Sequence, residues 1–161
     1  MNKKIITSIL IILFFSCRTS GDYSEEDIAN FKREVYYNQN PKYYGKLLLY
    51  YDNNGSSNYH EKLSYSLKLR NKEINCYYDF YKTYLEIAFN NNFNEVDILK
   101  LPVEERKYLL YMLRCGAQKE NLDCMETLAK YYKYGIGVEI NLKKSDSLRK
   151  AMGEAFKDLK I

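Results

Sequence analysis

From residue 24 onward, apolar side chains recur at intervals of three and four residues, the spacing that places them on one face of an α-helix. No segment shows sustained alternation of apolar and polar residues, so the pattern predicts no β-sheet. We therefore expect an all-α fold. The predicted helices cover about residues 24–37, 41–52, 58–70, 76–89, 102–117 and 121–134, and a last one begins near 142.

Several predicted helices follow a residue that can accept a hydrogen bond from the first helical turn. Ser24 with Asp27 resembles a capping box. Asn40 precedes Pro41, and proline fits the first position of a helix. The corresponding candidates for three further helices are Ser57, Asn75 and Asn141. Residues 90–101 form the longest predicted irregular connection.

Two of the predicted helices resemble each other at an offset of 48 residues. The matched positions are Asn75, Cys76, Phe80, Lys82 and Tyr84 in one helix and Asp123, Cys124, Leu128, Lys130 and Tyr132 in the other. Paired helices that repeat in this way suggest a solenoid, in which each hairpin buries its apolar face against its neighbours.

The strongest local motif ends in two closely spaced glycines. Its spaced positions are Leu128, Ala129, Tyr132, Gly135, Gly137 and Val138. The segment resembles the Sel1-like repeat, a relative of the tetratricopeptide repeat, whose first helix ends L-G-x-x-Y-x-x-G-x-G-V. Ala129 replaces the usual glycine with another small residue. Gly135 and Gly137 permit backbone angles that allow a sharp turn into a second helix.

The resemblance implies a short α/α solenoid of Sel1-like and tetratricopeptide-like hairpins over residues 24–161. The clearest repeat spans 121–156, and degenerate repeats span 41–71 and 76–118. The helix at 24–37 would serve as a cap. Because this is a binding architecture, we expect a protein or peptide partner along the concave face of the stack.

Residues 1–16 have the organisation of a secretory signal peptide. A positive start is followed by the apolar run from Ile5 to Phe15 and by the small residue Ser16. This run is shorter than the roughly 20 residues that a membrane-spanning helix needs.

The segment that closes the signal peptide, Leu13-Phe14-Phe15-Ser16-Cys17, resembles the lipobox of bacterial lipoproteins. In that family, a diacylglycerol is attached to the cysteine thiol before cleavage. The resemblance implies lipidation of Cys17, a linker at 17–23 and a lipid-anchored, periplasmic or surface-facing location in the bacterial cell envelope. An ordinary secretory signal that contains a cysteine is the alternative.

The charge of the chain changes when the signal peptide is removed. Loss of Lys3 and Lys4 leaves 23 Lys and Arg against 21 Asp and Glu, a net charge of +2. This near-neutral balance gives no reason to expect a nucleic-acid partner.

The chain has 18 tyrosines and no tryptophan. Tyrosine-rich surfaces can be recognition surfaces, although an AT-rich genome would supply tyrosine as well.

Little in the sequence indicates catalysis or metal binding. His60 is the single histidine and no C-x-x-C pair accompanies it, so we expect no metal site and no cofactor. Ser147 and Lys150 match the S-x-x-K pattern of penicillin-recognising enzymes, but the S-D-N and K-T-G elements of those enzymes are absent. We therefore expect a protein that is not an enzyme.

Three cysteines remain after Cys17. Cysteine-rich Sel1-like proteins staple successive helices, and the resemblance implies a disulfide between Cys115 and Cys124, across an interval one residue longer than in those relatives. Cys76 would be a free, buried thiol.

The leading hypothesis is a membrane-anchored adaptor that binds a protein or peptide through its helical repeats. The alternatives are a toxin-neutralising immunity protein and a β-lactam-directed enzyme, the latter suggested by cysteine-rich Sel1-like relatives.

Overall fold

The computed structural model describes residues 23–53 and 58–158. Within these ranges the regular structure is helical, without a strand, so the predicted all-α fold class is confirmed. No helix in the described part of the chain combines the length and the apolar character needed to cross a membrane. The predicted signal peptide, Cys17 and nearly all of the predicted linker lie outside the described residues.

Each α-helix lies where the periodicity predicts one. The α-helices are α1 (Glu25–Tyr36), α2 (Pro41–Asn53), α3 (Tyr59–Leu69), α4 (Cys76–Ala88), α5 (Val103–Gln118), α6 (Leu122–Tyr134) and α7 (Leu142–Asp158). A 3-10 helix, η1 (Glu95–Lys100), precedes α5. The connection at 90–101, predicted to be irregular, therefore contains regular structure.

The chain divides into two compact units, Met1–Ser57 and Asn58–Ile161. This boundary passes through the predicted repeat at 41–71, so α2 belongs to the first unit and α3 to the second.

In the first unit α1 packs against α2, and both helices bury aromatic and aliphatic side chains. The predicted capping box is present at the start of α1. The Asp27 amide donates to Ser24 Oγ at 3.1 Å, and the Ser24 amide donates to Asp27 Oδ2 at 3.1 Å.

In the second unit each helix from α3 to α7 packs against the next one along the chain, and α4 also meets α6. This neighbour-to-neighbour packing is that of a short α/α solenoid. The shared core includes Phe80, Ile98, Leu113 and Tyr131, and Leu148 of α7 packs partly buried against it. The core therefore extends from α4 to α7.

The helices α4 and α6 share a pattern of burial at the predicted offset of 48 residues. Cys76 and Cys124 are both fully buried, and Phe80 and Leu128 are buried one turn later. The helix starts are also joined, because Asn121 Nδ2 donates to Asn75 Oδ1 at 3.0 Å.

Two of the predicted caps differ from expectation. Asn75 occupies the N-cap position of α4, but its side chain does not accept from the helix, since its oxygen accepts from Asn121 instead. The cap of α3 is Asn58, whose Oδ1 accepts from the Glu61 amide at 3.4 Å, whereas Ser57 lies outside the described residues.

The 3-10 helix η1 is fixed to α6 by its first residue. Lys130 Nζ lies 2.8 Å from Glu95 Oε1, and the Tyr131 hydroxyl donates to the Glu95 carbonyl at 2.9 Å. The Tyr131 hydroxyl also shares a buried hydrogen bond with the Tyr81 hydroxyl of α4. Some of the tyrosines therefore join elements inside the core.

Candidate functional site

The two motif glycines form the turn that ends α6. Gly135 and Gly137 have φ angles of 71° and 68°, in the left-handed region that favours glycine. The Gly135 amide donates to the Tyr131 carbonyl at 2.9 Å, which closes the helix. The chain then enters α7, where Asn141 Oδ1 accepts from the Lys144 amide at 2.9 Å as predicted.

The remaining motif residues pack α6 against its neighbours. Leu128 and Ala129 are buried, whereas Tyr132 and Val138 are half-buried. Ser145 of α7 is buried and its hydroxyl donates to the Ala129 carbonyl at 2.8 Å. The small side chain of Ala129 thus lies where α7 approaches the α6 backbone.

A cavity of about 340 Å³ opens between α5 and α7 with α6 at its floor. Its lining includes Arg114 and Ala117 of α5, Leu128 and Tyr132 of α6, and Lys144 and Leu148 of α7. A second cavity of about 240 Å³ shares Arg114, Tyr132 and Lys144 with the first and continues to the turn after α6. We call the two together the α5–α7 groove.

The groove has an apolar floor and a cationic rim. Leu128 is 2% exposed, and Leu148 is half-buried beside it. Lys144 Nζ lies 5.1 Å from the centroid of the Tyr132 ring, a cation–π contact. Arg114 is exposed on α5. Such a site offers both apolar contact and attraction to negative charge.

Only part of this groove was predictable from the sequence. Tyr132 belongs to the predicted motif, and Leu148 lies within the last of the predicted helices. Arg114 had no sequence signal, because it is a single charged residue on an exposed helix face. The groove depends on the three-dimensional packing of α5, α6 and α7.

The predicted disulfide is not formed, since Cys76, Cys115 and Cys124 are all free thiols. A Cβ atom built on Gly116 would lie 2.4 Å from Cys124 Sγ, so this sulfur packs directly against Gly116. Cys115 precedes Gly116 by one residue, which rotates its side chain by about 100° around the helix. The α5 position that packs against the Cys124 sulfur is therefore Gly116 rather than Cys115.

The buried thiols are poorly suited to nucleophilic chemistry. Burial, with the charge of Asp123 as a smaller cause, raises the pKa of Cys124 to about 12. Burial also raises the pKa of Cys76, and the nearby carboxylates of Asp79 and Glu73 add to this effect. Because the thiolate is the reactive form, neither sulfur is activated at neutral pH.

The remaining candidates for chemistry do not form a common site. His60 is exposed on α3. Ser147 lines the α5–α7 groove, whereas Lys150 Nζ lies 3.9 Å from Glu154 Oε1 and its side chain is 80% exposed. Across residues 23–53 and 58–158, no group of three His, Cys, Asp or Glu side chains is placed to hold a metal ion.

A larger cavity of about 690 Å³ lies beside η1 and the turn after α6. Val96, Leu99 and Tyr134 line it, and each of these side chains is more than 45% exposed. Its charged lining residue, Glu95, is paired with Lys130. The α5–α7 groove therefore differs from this cavity in its two cationic side chains.

Comparison of the chain with protein-family models, with curated proteins and with solved structures finds no match. The Sel1-like resemblance thus rests on the motif residues, and the α5–α7 groove is the basis for a functional proposal.

Proposed function

We propose that this chain is a lipoprotein, held to a bacterial membrane through Cys17, that binds a protein or peptide segment in the α5–α7 groove. The observation that supports binding is the groove itself. Its first cavity, about 340 Å³, is within the range of about 300–1,000 Å³ typical of ligand sites. Such sites combine apolar walls with a few polar groups that orient the ligand.

The groove offers both kinds of contact to an extended segment. Leu128, Leu148 and Ala117 can cover an apolar side chain. Gln118 and Ser147 can exchange hydrogen bonds with a peptide backbone, because both are exposed at the cavity wall. The proposed role is therefore that of an adaptor rather than an enzyme.

Peptide binding is tested by filling the groove. Ser147→Trp places a large ring in the first cavity. Gly153→Trp on the same helix is the matched control, because a Cβ at Gly153 meets nothing within 4 Å and Gly153 does not line the groove. Peptides would be selected from a displayed random library on the full mature chain, and their affinities measured by fluorescence anisotropy. We expect Ser147→Trp to weaken binding by about tenfold or more, because the added ring occupies the space in which a peptide side chain would contact the apolar floor. Gly153→Trp should leave the affinity unchanged.

If no selected peptide binds, or if binding is insensitive to Ser147→Trp, the groove is not a peptide site.

The anchor is tested separately by mass spectrometry of the mature N terminus. An acylated Cys17 is expected, and an unmodified one would contradict the lipoprotein assignment. A nitrocefin assay is expected to detect no hydrolysis. If the wild-type chain hydrolyses nitrocefin and Ser147→Ala abolishes that hydrolysis, the result would instead favour the β-lactam-directed alternative.

A further inference from the structure

We propose that the α5–α7 groove selects peptide segments in which an acidic side chain lies next to a bulky apolar one. This inference rests on the proposed function, that the groove receives a peptide, and it names the chemistry of that peptide. It comes from the charges at the rim and from the apolar floor beneath them.

The two cationic groups of the rim have no carboxylate partner within the parts of the chain that the structure describes. Lysines that do pair with carboxylates in those parts include Lys82, Lys100, Lys107, Lys130 and Lys150. Arg114 and Lys144 line both cavities of the groove without such a pair. A carboxylate on a bound peptide would complement both charges.

The position of Lys144 is restricted by an aromatic ring. Its ammonium group lies 5.1 Å from the centroid of the Tyr132 ring, and Tyr132 is half-buried in the groove wall. A cation held over a ring keeps its charge near the groove and has less freedom to turn toward solvent. An acidic side chain that enters the groove therefore meets a charge that is already in place.

The apolar floor determines which kind of peptide side chain can lie beside the acidic one. Leu128 is almost completely buried, with Ala117 and Leu148 on either side of the opening. An aliphatic or aromatic side chain that covers this floor removes apolar surface from water, which contributes affinity without regard to charge. The neighbouring acid supplies the selectivity.

The second cavity limits where the acid can lie. Glu139, in the connection between α6 and α7, lines the second cavity but not the first. Like charges in proximity repel, so an acidic side chain is favoured beside Arg114 and Lys144 and disfavoured beside Glu139. The groove therefore accepts the peptide with its acidic position toward the first cavity.

The test uses the full mature chain and peptides from a random displayed library. Selected peptides are resynthesised with amidated C termini, so that side chains carry their only carboxylates. Each acidic residue is replaced by its amide and by lysine, and affinities are measured at low and at physiological salt. We expect the amide forms to bind about threefold to tenfold more weakly, with the difference shrinking as salt rises.

Reversal of the rim charges gives the sharper result. The double variant Arg114→Glu with Lys144→Glu should prefer the lysine peptide over the acidic one, an inversion that damage to the fold would not produce. Lys143→Glu and Arg149→Glu change exposed neighbours outside the groove and should preserve the original preference. Far-UV circular dichroism confirms that each variant is folded.

The outcomes separate the inference from the proposed function. Peptides that bind, are blocked by Ser147→Trp and show no preference for acids would overturn the selectivity while leaving peptide binding intact. A reversed rim that still favours the acidic peptide would overturn it as well. If no peptide binds the wild-type chain, both the inference and the proposed function are wrong.

Discussion

Gly116 lies where α5 passes closest to α6. A Cβ atom at this position would lie 2.4 Å from Cys124 Sγ and 2.9 Å from Tyr77 Cβ, distances at which the neighbours must move. Both neighbours are buried, so they have little room to do so. The absence of a side chain at Gly116 is therefore what permits this packing.

We expect Gly116→Ala to lower the free energy of unfolding by about 1–3 kcal/mol, because overpacking outweighs the better helix propensity of alanine. Gly153→Ala in α7 is the matched control. A Cβ there meets nothing within 4 Å, so the substitution should raise stability by about 0.5–1 kcal/mol. Urea denaturation monitored by circular dichroism measures both. Equal stabilisation by the two substitutions would contradict the close approach.

The same contact explains why the disulfide could not be predicted from spacing. The interval between Cys115 and Cys124 is compatible with a bridge across a short turn. Which face of α5 meets Cys124 depends on how the two helices pack, and that face carries Gly116. A displacement of one residue turns the side chain by about 100°, which decides between a bridge and two free thiols.

At the scale of elements, the 3-10 helix η1 carries the clearest dependence on pH. Lys100 Nζ lies 2.6 Å from Asp97 Oδ1, and the backbone amide of Asn94 donates a hydrogen bond to Asp97 Oδ2 at 2.8 Å. These contacts lower the pKa of the Asp97 carboxyl, with the hydrogen bond from Lys100 as the largest cause. The ionised form is therefore favoured in the folded chain.

A lowered pKa means that the folded state binds this proton less readily than the unfolded state does. The stabilisation is fully present above the ordinary pKa of aspartate, about 4, and is lost as the pH falls through the lowered value. We expect wild type to be more stable than Asp97→Asn at pH near 7, and the difference to shrink at pH near 3. Urea titrations at the two pH values measure this.

Lys100→Gln separates the two causes of the effect. This variant removes the ion pair but keeps the hydrogen bond from the Asn94 amide, so part of the pH dependence should remain. A difference between wild type and Asp97→Asn that is equal at both pH values would show that the carboxylate charge does not stabilise η1.

The helices were predictable to different degrees for physical reasons. Long helices such as α5 and α6 repeat their apolar positions over several turns, so the period is visible in the sequence. The helix η1 has six residues, too few for a period, and Ile98 is buried by elements distant along the chain. Its ties to Lys130 and Tyr131 likewise join residues more than 30 positions apart.

For the molecule as a whole, the groove was harder to predict than the fold. Leu128 and Tyr132 carry a motif with regular spacing, and Gly135 marks the turn that follows. Arg114 and Lys144 lie 30 residues apart and share no pattern. They line one groove because α5 and α7 both pack against α6. A fold built from local periodicity is visible in one sequence, whereas a site assembled between helices is not.

The division into two compact units leads to a prediction about the second unit alone. Its core joins α4, η1, α5 and α6, with α3 and α7 contributing partly buried residues such as Leu67 and Leu148. Every residue of the α5–α7 groove also lies within Asn58–Ile161. The residues of this core cluster and of the groove thus all belong to the second unit.

We expect a fragment of residues 58–161 to be helical, to unfold cooperatively and to bind the same peptides as the mature chain. Gly116→Ala should destabilise the fragment and the mature chain equally, to within about 0.5 kcal/mol, because the two side chains that its Cβ would meet, Cys124 and Tyr77, both lie within the fragment. Circular dichroism and anisotropy measure these properties. A fragment that is unfolded, or that is folded but has lost peptide affinity, would show that the first unit contributes to stability or to the site. Retained affinity would place the proposed adaptor function entirely in the helices from α3 to α7.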